Sequence, residues 1–178
     1  MWLSKDSGID WTAIAALIAL GIWLVDGWRR RRERAATRRL LAQIMTTPVG
    51  VAQIDIARFR VSVVPSSGDT TNILNLIDSQ ACRAAFAAKA FEVKLDLPSQ
   101  FLEKAGLFGE RTSNRLALAL SQTSRLHMAW KLAADIPDGV DEKELHNHVH
   151  HALEQIQATE RAIGEAFNAV VADGQASP

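Results

Sequence analysis

The chain has 178 residues, with 20 basic and 20 acidic side chains and a formal net charge of zero. Its hydrophobic content of 48% excludes a wholly disordered chain, and ten Gly and five Pro exclude a collagen-like or proline-rich fibre. The only cysteine, Cys82, excludes an internal disulfide and any multi-cysteine metal or iron–sulfur site.

The first predicted element is an apolar run near the N-terminus. Residues 11–25 carry no charge, and extending the run to 9–28 gives a helix of about 30 Å, enough to cross the hydrocarbon core of a bilayer. Trp11 lies near one end of this stretch, and Trp23 and Trp28 lie near the other, as membrane-interface anchors do. The sequence therefore predicts a transmembrane helix over 9–28, preceded by a short extracytoplasmic N-terminus at 1–8.

Two other interpretations of this run are disfavoured. A cleaved signal peptide has its basic residues before the apolar run and a small-residue cleavage site after it, whereas here the arginines follow and no such site is present. A core helix of a soluble domain is not expected to be apolar on all faces and to lead directly into four consecutive arginines.

A strongly basic segment follows the predicted span. Residues 29–39 contain one acid, Glu33, and seven arginines, which we call the arginine collar: Arg29, Arg30, Arg31, Arg32, Arg34, Arg38 and Arg39. By the positive-inside rule the collar predicts that the N-terminus is outside and the rest of the chain is cytoplasmic, at the inner membrane if the host is bacterial. The same arginines are expected to bind anionic lipid headgroups, or to act only as a topology signal. Nucleic-acid binding is not expected, because no aromatic residue is interleaved among them.

The collar is predicted to continue as helix up to a proline, and the stretch beyond the proline fits two kinds of secondary structure. The basic juxtamembrane helix covers 29–47 and is expected to end near Thr47, before Pro48. Residues 51–64 fit either a strand or a helix, and helix is favoured because no other segment offers a strand partner. One apolar stripe is predicted on the juxtamembrane helix, made of Leu40, Leu41, Ile44 and Met45.

Residues 48–172 are predicted to form a cytoplasmic helical bundle, followed by a disordered tail at 173–178. Apolar residues at helical spacing predict one helix carrying Ile73 to Leu95, a short helical turn after Pro98, and long helices over 111–136 and from Asp141 onward. The predicted fold class is all-α: a single N-terminal transmembrane helix followed by an antiparallel helical bundle. Trp130 is expected to be a core residue.

The histidines supply the one local pattern of metal-ligand type. Four of five His residues fall in the segment HNHVHH, and Glu142, His146, His150 and Glu154 share one ridge of a helix. Two His four residues apart can hold Zn²⁺, Ni²⁺ or Cu²⁺, with a carboxylate completing the site. An ordinary solvated surface and a pH-responsive surface remain open as alternatives.

No catalytic motif is found: the chain lacks a phosphate-binding GxxxxGK[ST] loop, a GxGxxG turn and a GxSxG elbow. We therefore expect a non-catalytic, membrane-anchored scaffold, adaptor or accessory subunit that needs no cofactor. Its expected partners are the anionic bilayer and either a protein in the same membrane or a second copy of itself. The alternative is a membrane-attached metal or pH sensor acting through His146 and His150.

Overall fold

A computed structural model describes residues 11–65, 67 and 70–175, with the side chains of 11–13, 100–102 and 105 left aside. These residues contain no strand, and the predicted all-α fold class is confirmed. The elements, in chain order, are α1 (Trp11–Val63), α2 (Thr71–Asp78), α3 (Gln80–Glu92), α4 (Ser99–Lys104), a 3₁₀ turn (Ala105–Leu107), α5 (Glu110–Asp135) and α6 (Glu142–Gln175).

Helix α1 runs without interruption through a proline. The prediction of a helix end near Thr47 is wrong, because α1 passes Pro48 and ends at Val63. Pro48 cannot donate a hydrogen bond to the carbonyl of Ile44, which costs up to about 3 kcal/mol in a helix interior. Buried apolar residues on both sides of Pro48 offset this cost, since each contributes roughly 1.5–3 kcal/mol when fully buried. The preference for helix over strand after residue 51 is confirmed.

The chain divides into two compact units between Thr37 and Arg38. The second unit is the helical bundle, so the bundle begins ten residues before the predicted start at residue 48. The first unit holds the N-terminal part of α1. The predicted N-terminus at 1–8 lies outside the described residues, as do residues 176–178 of the predicted tail. Residues 173–175 of that tail are helical, so the prediction of disorder is wrong for them.

The bundle alternates helix directions. Helix α6 runs antiparallel to α1, since a Cβ atom on Gly50 would lie 3.3 Å from Phe167 and Arg60 pairs with Glu160 near the other end of the contact. The missing side chain at Gly50 allows this close approach. Helix α5 in turn runs antiparallel to α6, since the Thr159 hydroxyl donates to the carbonyl of Gln122 at 3.1 Å and Arg115, earlier in α5, pairs with Glu165, later in α6.

Helix α3 completes the bundle against α5, and an aromatic cluster joins three helices at its centre. The Trp130 ring of α5 meets the ring of Phe59 from α1 edge-on at 5.2 Å and that of Phe86 from α3 at 6.1 Å. Trp130 is only 1% exposed, which confirms it as a core residue. The core side of α1 keeps spacings of three and four residues throughout, as Ala42, Met45, Val49, Ala52, Ile56, Phe59 and Val63.

The segment after α1 forms two helices, α2 and α3, and not the single helix that the sequence predicts. The predicted single helix carrying Ile73 to Leu95 is wrong, because the chain breaks at Ser79, whose backbone is extended. The Ser79 hydroxyl accepts a hydrogen bond from the backbone N–H of Cys82 and caps α3.

A buried arginine explains the break. The side chain of Arg83 is fully buried, and its guanidinium donates to the carbonyls of Leu76 at 3.0 Å and Ile77 at 3.3 Å, at the end of α2. It also donates to the carbonyl of Ile136 at 2.7 Å and to the Asp138 carboxylate at 3.0 Å. The break at the end of α2 frees carbonyls that satisfy the buried charge, and Arg83 thereby links α2 and α3 to the turn after α5.

Replacing Pro48 with alanine should stabilise the bundle. Pro48→Ala restores the missing N–H in α1, and we expect the free energy of unfolding to rise by about 2 kcal/mol after allowance for the freer unfolded chain. Urea unfolding of the full-length protein in mild detergent, followed by helical circular dichroism, measures this. A loss of stability would instead show that packing of the Pro48 ring stabilises the bundle more than the restored backbone hydrogen bond does.

Removing the buried guanidinium should have the opposite effect. Arg83→Met leaves three carbonyls without their donor, and we expect a loss of about 3 kcal/mol in the same unfolding measurement. The matched control is Arg125→Met, the same change on an exposed site of α5, where an effect within about 0.5 kcal/mol is expected. Equal effects from the two variants would contradict the linking role of Arg83.

Candidate functional site

The N-terminal part of α1 carries an apolar surface that no described residue covers. Trp23 is 70% exposed and Leu17 is 68% exposed. The exposed large apolar residues of this part surround the helix: Leu17, Ile18, Leu20, Ile22, Trp23, Leu24, Val25 and Trp28. By length and composition, α1 is able to cross a membrane. A contiguous exposed apolar surface of this kind marks a site of contact with a membrane or another protein.

Of the three predicted interface tryptophans, the structure describes the side chains of Trp23 and Trp28 but not that of Trp11. Trp23 and Trp28 are exposed, and the Arg32 guanidinium lies over the ring of Trp28, 3.6 Å from its centroid. This cation–π contact joins the end of the apolar surface to the beginning of the arginine collar. The side chain of Trp11 lies outside the described side chains, so its predicted role stays a prediction.

Two arginines of the collar are paired with neighbouring acids on the same helix. Arg29 Nε lies 3.0 Å from Glu33 Oε1, and Arg30 Nη2 lies 2.7 Å from Asp26 Oδ2. All four side chains are more than half exposed, so each pair contributes little to stability. The pairing lowers the local positive charge on one part of the collar.

The rest of the collar differs along its length. Arg31 and Arg34 are exposed and have no ion-pair partner among the described residues, so their charges are available to an outside ligand. Arg38 and Arg39 are half-buried and belong to the bundle unit. The collar is therefore not one uniform surface, because its last two members take part in the folded bundle.

The histidine ridge forms two separate pairs on the exposed face of α6. His150 Nε2 lies 3.3 Å from Glu154 Oε1. His146 Nδ1 lies 2.9 Å from the backbone carbonyl of Glu142, so the hydrogen bond at this end of the ridge uses the main chain and not the carboxylate. Within the part of the chain that the structure describes, no three His, Cys, Asp or Glu side chains are grouped to hold a metal ion. The metal site stays a prediction, with His150 and Glu154 as its one close pair of ligands.

Two further side chains with reactive groups, His127 and Cys82, are packed into the fold. Nε2 of His127, the fifth histidine, lies 2.9 Å from the carbonyl of Val93, and its ring centroid is 4.8 Å from that of Phe91. The thiol of Cys82 is partly buried against the core. Both contacts are those of packed side chains.

Within the bundle unit, α1 carries a second, exposed apolar surface, which the sequence analysis grouped with the buried one in a single stripe. Of the four residues predicted to share one stripe, Leu41 and Met45 are buried in the core, whereas Leu40 and Ile44 are exposed. Residues one position apart on a helix point about 100° apart, so the pattern contained two stripes from the start.

Comparison with known proteins finds no match among family models, curated proteins or solved structures.

Metal titration tests the histidine ridge. We expect one equivalent of Zn²⁺ to leave the melting temperature of the full-length protein unchanged, because a metal that binds only the native state must find more than two ligands to bind tightly. The control is His150→Ala, which should behave like the unaltered protein. A rise in melting temperature with stoichiometric Zn²⁺, abolished by His150→Ala, would instead establish a metal site.

Proposed function

We propose that this protein is a single-pass membrane protein whose helical bundle acts as a non-catalytic scaffold, adaptor or accessory subunit. In this proposal residues 9–28 span the bilayer, the N-terminus is outside and the bundle is cytoplasmic. The observation that carries the proposal is the exposed apolar surface around α1 between Leu17 and Trp28.

The energetics of that surface favour lipid. Burying one large apolar side chain contributes roughly 1.5–3 kcal/mol, so eight half-exposed ones together give an anchor on the order of 10 kcal/mol. A core helix buries one face and exposes polar residues on the other, and this part of α1 has no polar side between Ile14 and Val25. Asp26, next to the span, is paired with Arg30, which lowers the cost of a carboxylate near the hydrocarbon.

The proposed orientation depends on the collar. Arginine is retained on the cytoplasmic side of a span, and the collar directly follows the apolar stretch. Arg31 and Arg34, which lack ion-pair partners among the described residues, are the arginines best suited to anionic lipid, at about 1 kcal/mol for each charge near the surface. The contact of Arg32 with Trp28 fits a side chain held at headgroup depth.

Tethering supplies a mechanism for a protein without catalytic residues. Confinement to a membrane raises the effective concentration of the bundle for any partner in the same membrane. The surfaces available to such a partner are the apolar span, the arginine collar and the exposed face of α6, which is acidic overall. Nucleic acid is not an expected partner.

The alternative is a membrane-attached metal or pH sensor acting through His146 and His150. The contact between His150 and Glu154 is the observation in its favour. The Zn²⁺ titration described above separates it from the scaffold.

Membrane partition tests the proposed anchor. We expect the full-length protein to sediment with membranes and to resist a carbonate wash. Leu20→Arg combined with Leu24→Arg should release most of it, because each arginine at the centre of a span costs about 2.5–3.5 kcal/mol. The matched control is Leu118→Arg with Leu132→Arg, which makes the same change at exposed leucines of α5 and should leave partition unchanged.

Orientation is measured on the same material. In a Cys82→Ser background, Ser121→Cys places one thiol on an exposed position of α5. A membrane-impermeant maleimide should label it only after the cells are opened. Labelling in intact cells would overturn the proposed orientation, and unaltered protein in the soluble fraction would overturn the anchor itself.

A further inference from the structure

Within the bundle unit, α1 carries an exposed apolar stripe on the side away from the core. The stripe, which we call the outer stripe, consists of Leu40, Ile44, Val51, Ile54 and Val61. Its members are separated by four, seven, three and seven residues, and Thr47 and Arg58 occupy the two positions that complete a regular alternation of four and three. The outer stripe lies about 200° around the helix from the buried stripe.

The outer stripe is apolar although it faces away from the core. Leu40 is 58% exposed and Ile54 is 53% exposed. The outward face of α6 has the same spacing but carries polar residues instead, at His150, Glu154 and Gln157. Because α5 also exposes apolar side chains, at Leu118, Met128 and Leu132, exposure alone does not distinguish the outer stripe. What distinguishes it is that five apolar residues keep one regular spacing over three heptads.

We propose that the outer stripe pairs with the outer stripe of a second copy of this chain, as a parallel two-helix contact. A repeat of four and three residues sustained over three heptads is the pattern by which two helices pack side chains of one into gaps of the other. In this repeat Ile44 and Val51 occupy the first core position of successive heptads, and Leu40, Thr47, Ile54 and Val61 occupy the second. β-branched residues at the first position and Leu at the second are the combination found in parallel pairs, and the stripe matches it at Leu40, Ile44 and Val51. A stripe of this kind is self-complementary under a twofold axis along the helix, so one chain supplies both surfaces.

The residues beside the stripe permit two identical copies to approach. On one flank, Gln43 and Ala57 are uncharged, whereas Gly50 between them already lies against Phe167 of α6, so a second helix approaches from the side of the stripe away from α6. Arg58 falls on the stripe itself, and its Nη1 lies 3.6 Å from Asp55 Oδ1 on the preceding turn. Each copy thus brings a carboxylate with its arginine, which reduces the repulsion between the two guanidinium groups. One polar residue in such a seam also sets the register of the pair.

The size of the stripe indicates where the pair forms. Five partly exposed apolar side chains fall short of the roughly 800 Å² that each partner buries in a standard stable interface. A dimer in dilute solution is therefore not expected. Confinement of two anchored copies to one bilayer raises their effective concentration above that in solution, and their shared orientation favours the parallel arrangement. In this respect the inference rests on the proposed function.

Cysteine cross-linking of the purified full-length protein in liposomes tests the contact. In the Cys82→Ser background, Val51→Cys and Ile54→Cys should each give an oxidised dimer at least tenfold more than Ser121→Cys and Lys131→Cys, which are exposed positions on α5. Because no other protein is present, a dimer identifies the partner as a second copy. Cross-linking equal to the α5 controls, or a monomer throughout, would overturn the proposal, including the case in which the stripe binds a different protein.

A second variant tests the contact while its melting temperature reports whether the bundle is still folded. Val51→Glu with Ile54→Glu should reduce the dimer fraction at least tenfold while the melting temperature stays the same, since both side chains are already exposed. Leu118→Glu with Leu132→Glu is the matched control and should leave the dimer intact. Failure of the two proposals is distinguishable: anchored protein without stripe cross-links contradicts the dimer alone, whereas stripe cross-links in concentrated soluble protein contradict the anchor alone.

Discussion

The structure depends on α1 remaining one helix from Trp11 to Val63. A helix satisfies its backbone hydrogen bonds internally, so the chain can change its side-chain chemistry without ending the element. Along α1 the side chains are first apolar on every side, then strongly basic, and finally apolar on two opposite stripes. The apolar stretch, the arginine collar and one helix of the bundle are thus successive parts of α1.

Much of this fold is readable from the sequence, because side-chain periodicity reports burial directly. Helix α5 was expected over 111–136 and spans Glu110–Asp135, and α6 begins next to Asp141, whose carbonyl accepts from Leu145. The failures share a physical cause. A helix end was predicted at Pro48 and none near Ser79, and both predictions were wrong because contacts with other elements decided the outcome. Burial on both sides of Pro48 keeps α1 intact, and the contacts of Arg83 favour a break at Ser79.

The candidate site was predictable in composition but not in arrangement. The proposed span, the collar and the histidine ridge are local in sequence, and their residues could be named from spacing alone. Which side of a helix faces its neighbours is not local, so Leu40 and Leu41 were grouped although one is exposed and the other buried. The partners of Arg83 lie up to 55 residues away, and no spacing rule connects them. The seven arginines likewise gave no sign that Arg38 and Arg39 belong to the bundle.

The antiparallel packing of α1 and α6 also brings the two ends of the bundle's chain together. A Cβ atom added to Gly174, near the end of α6, would lie 3.7 Å from the Cβ of Ala42 in α1. A molecule that contacts the first turns of α1 within the bundle therefore also meets the last turn of α6.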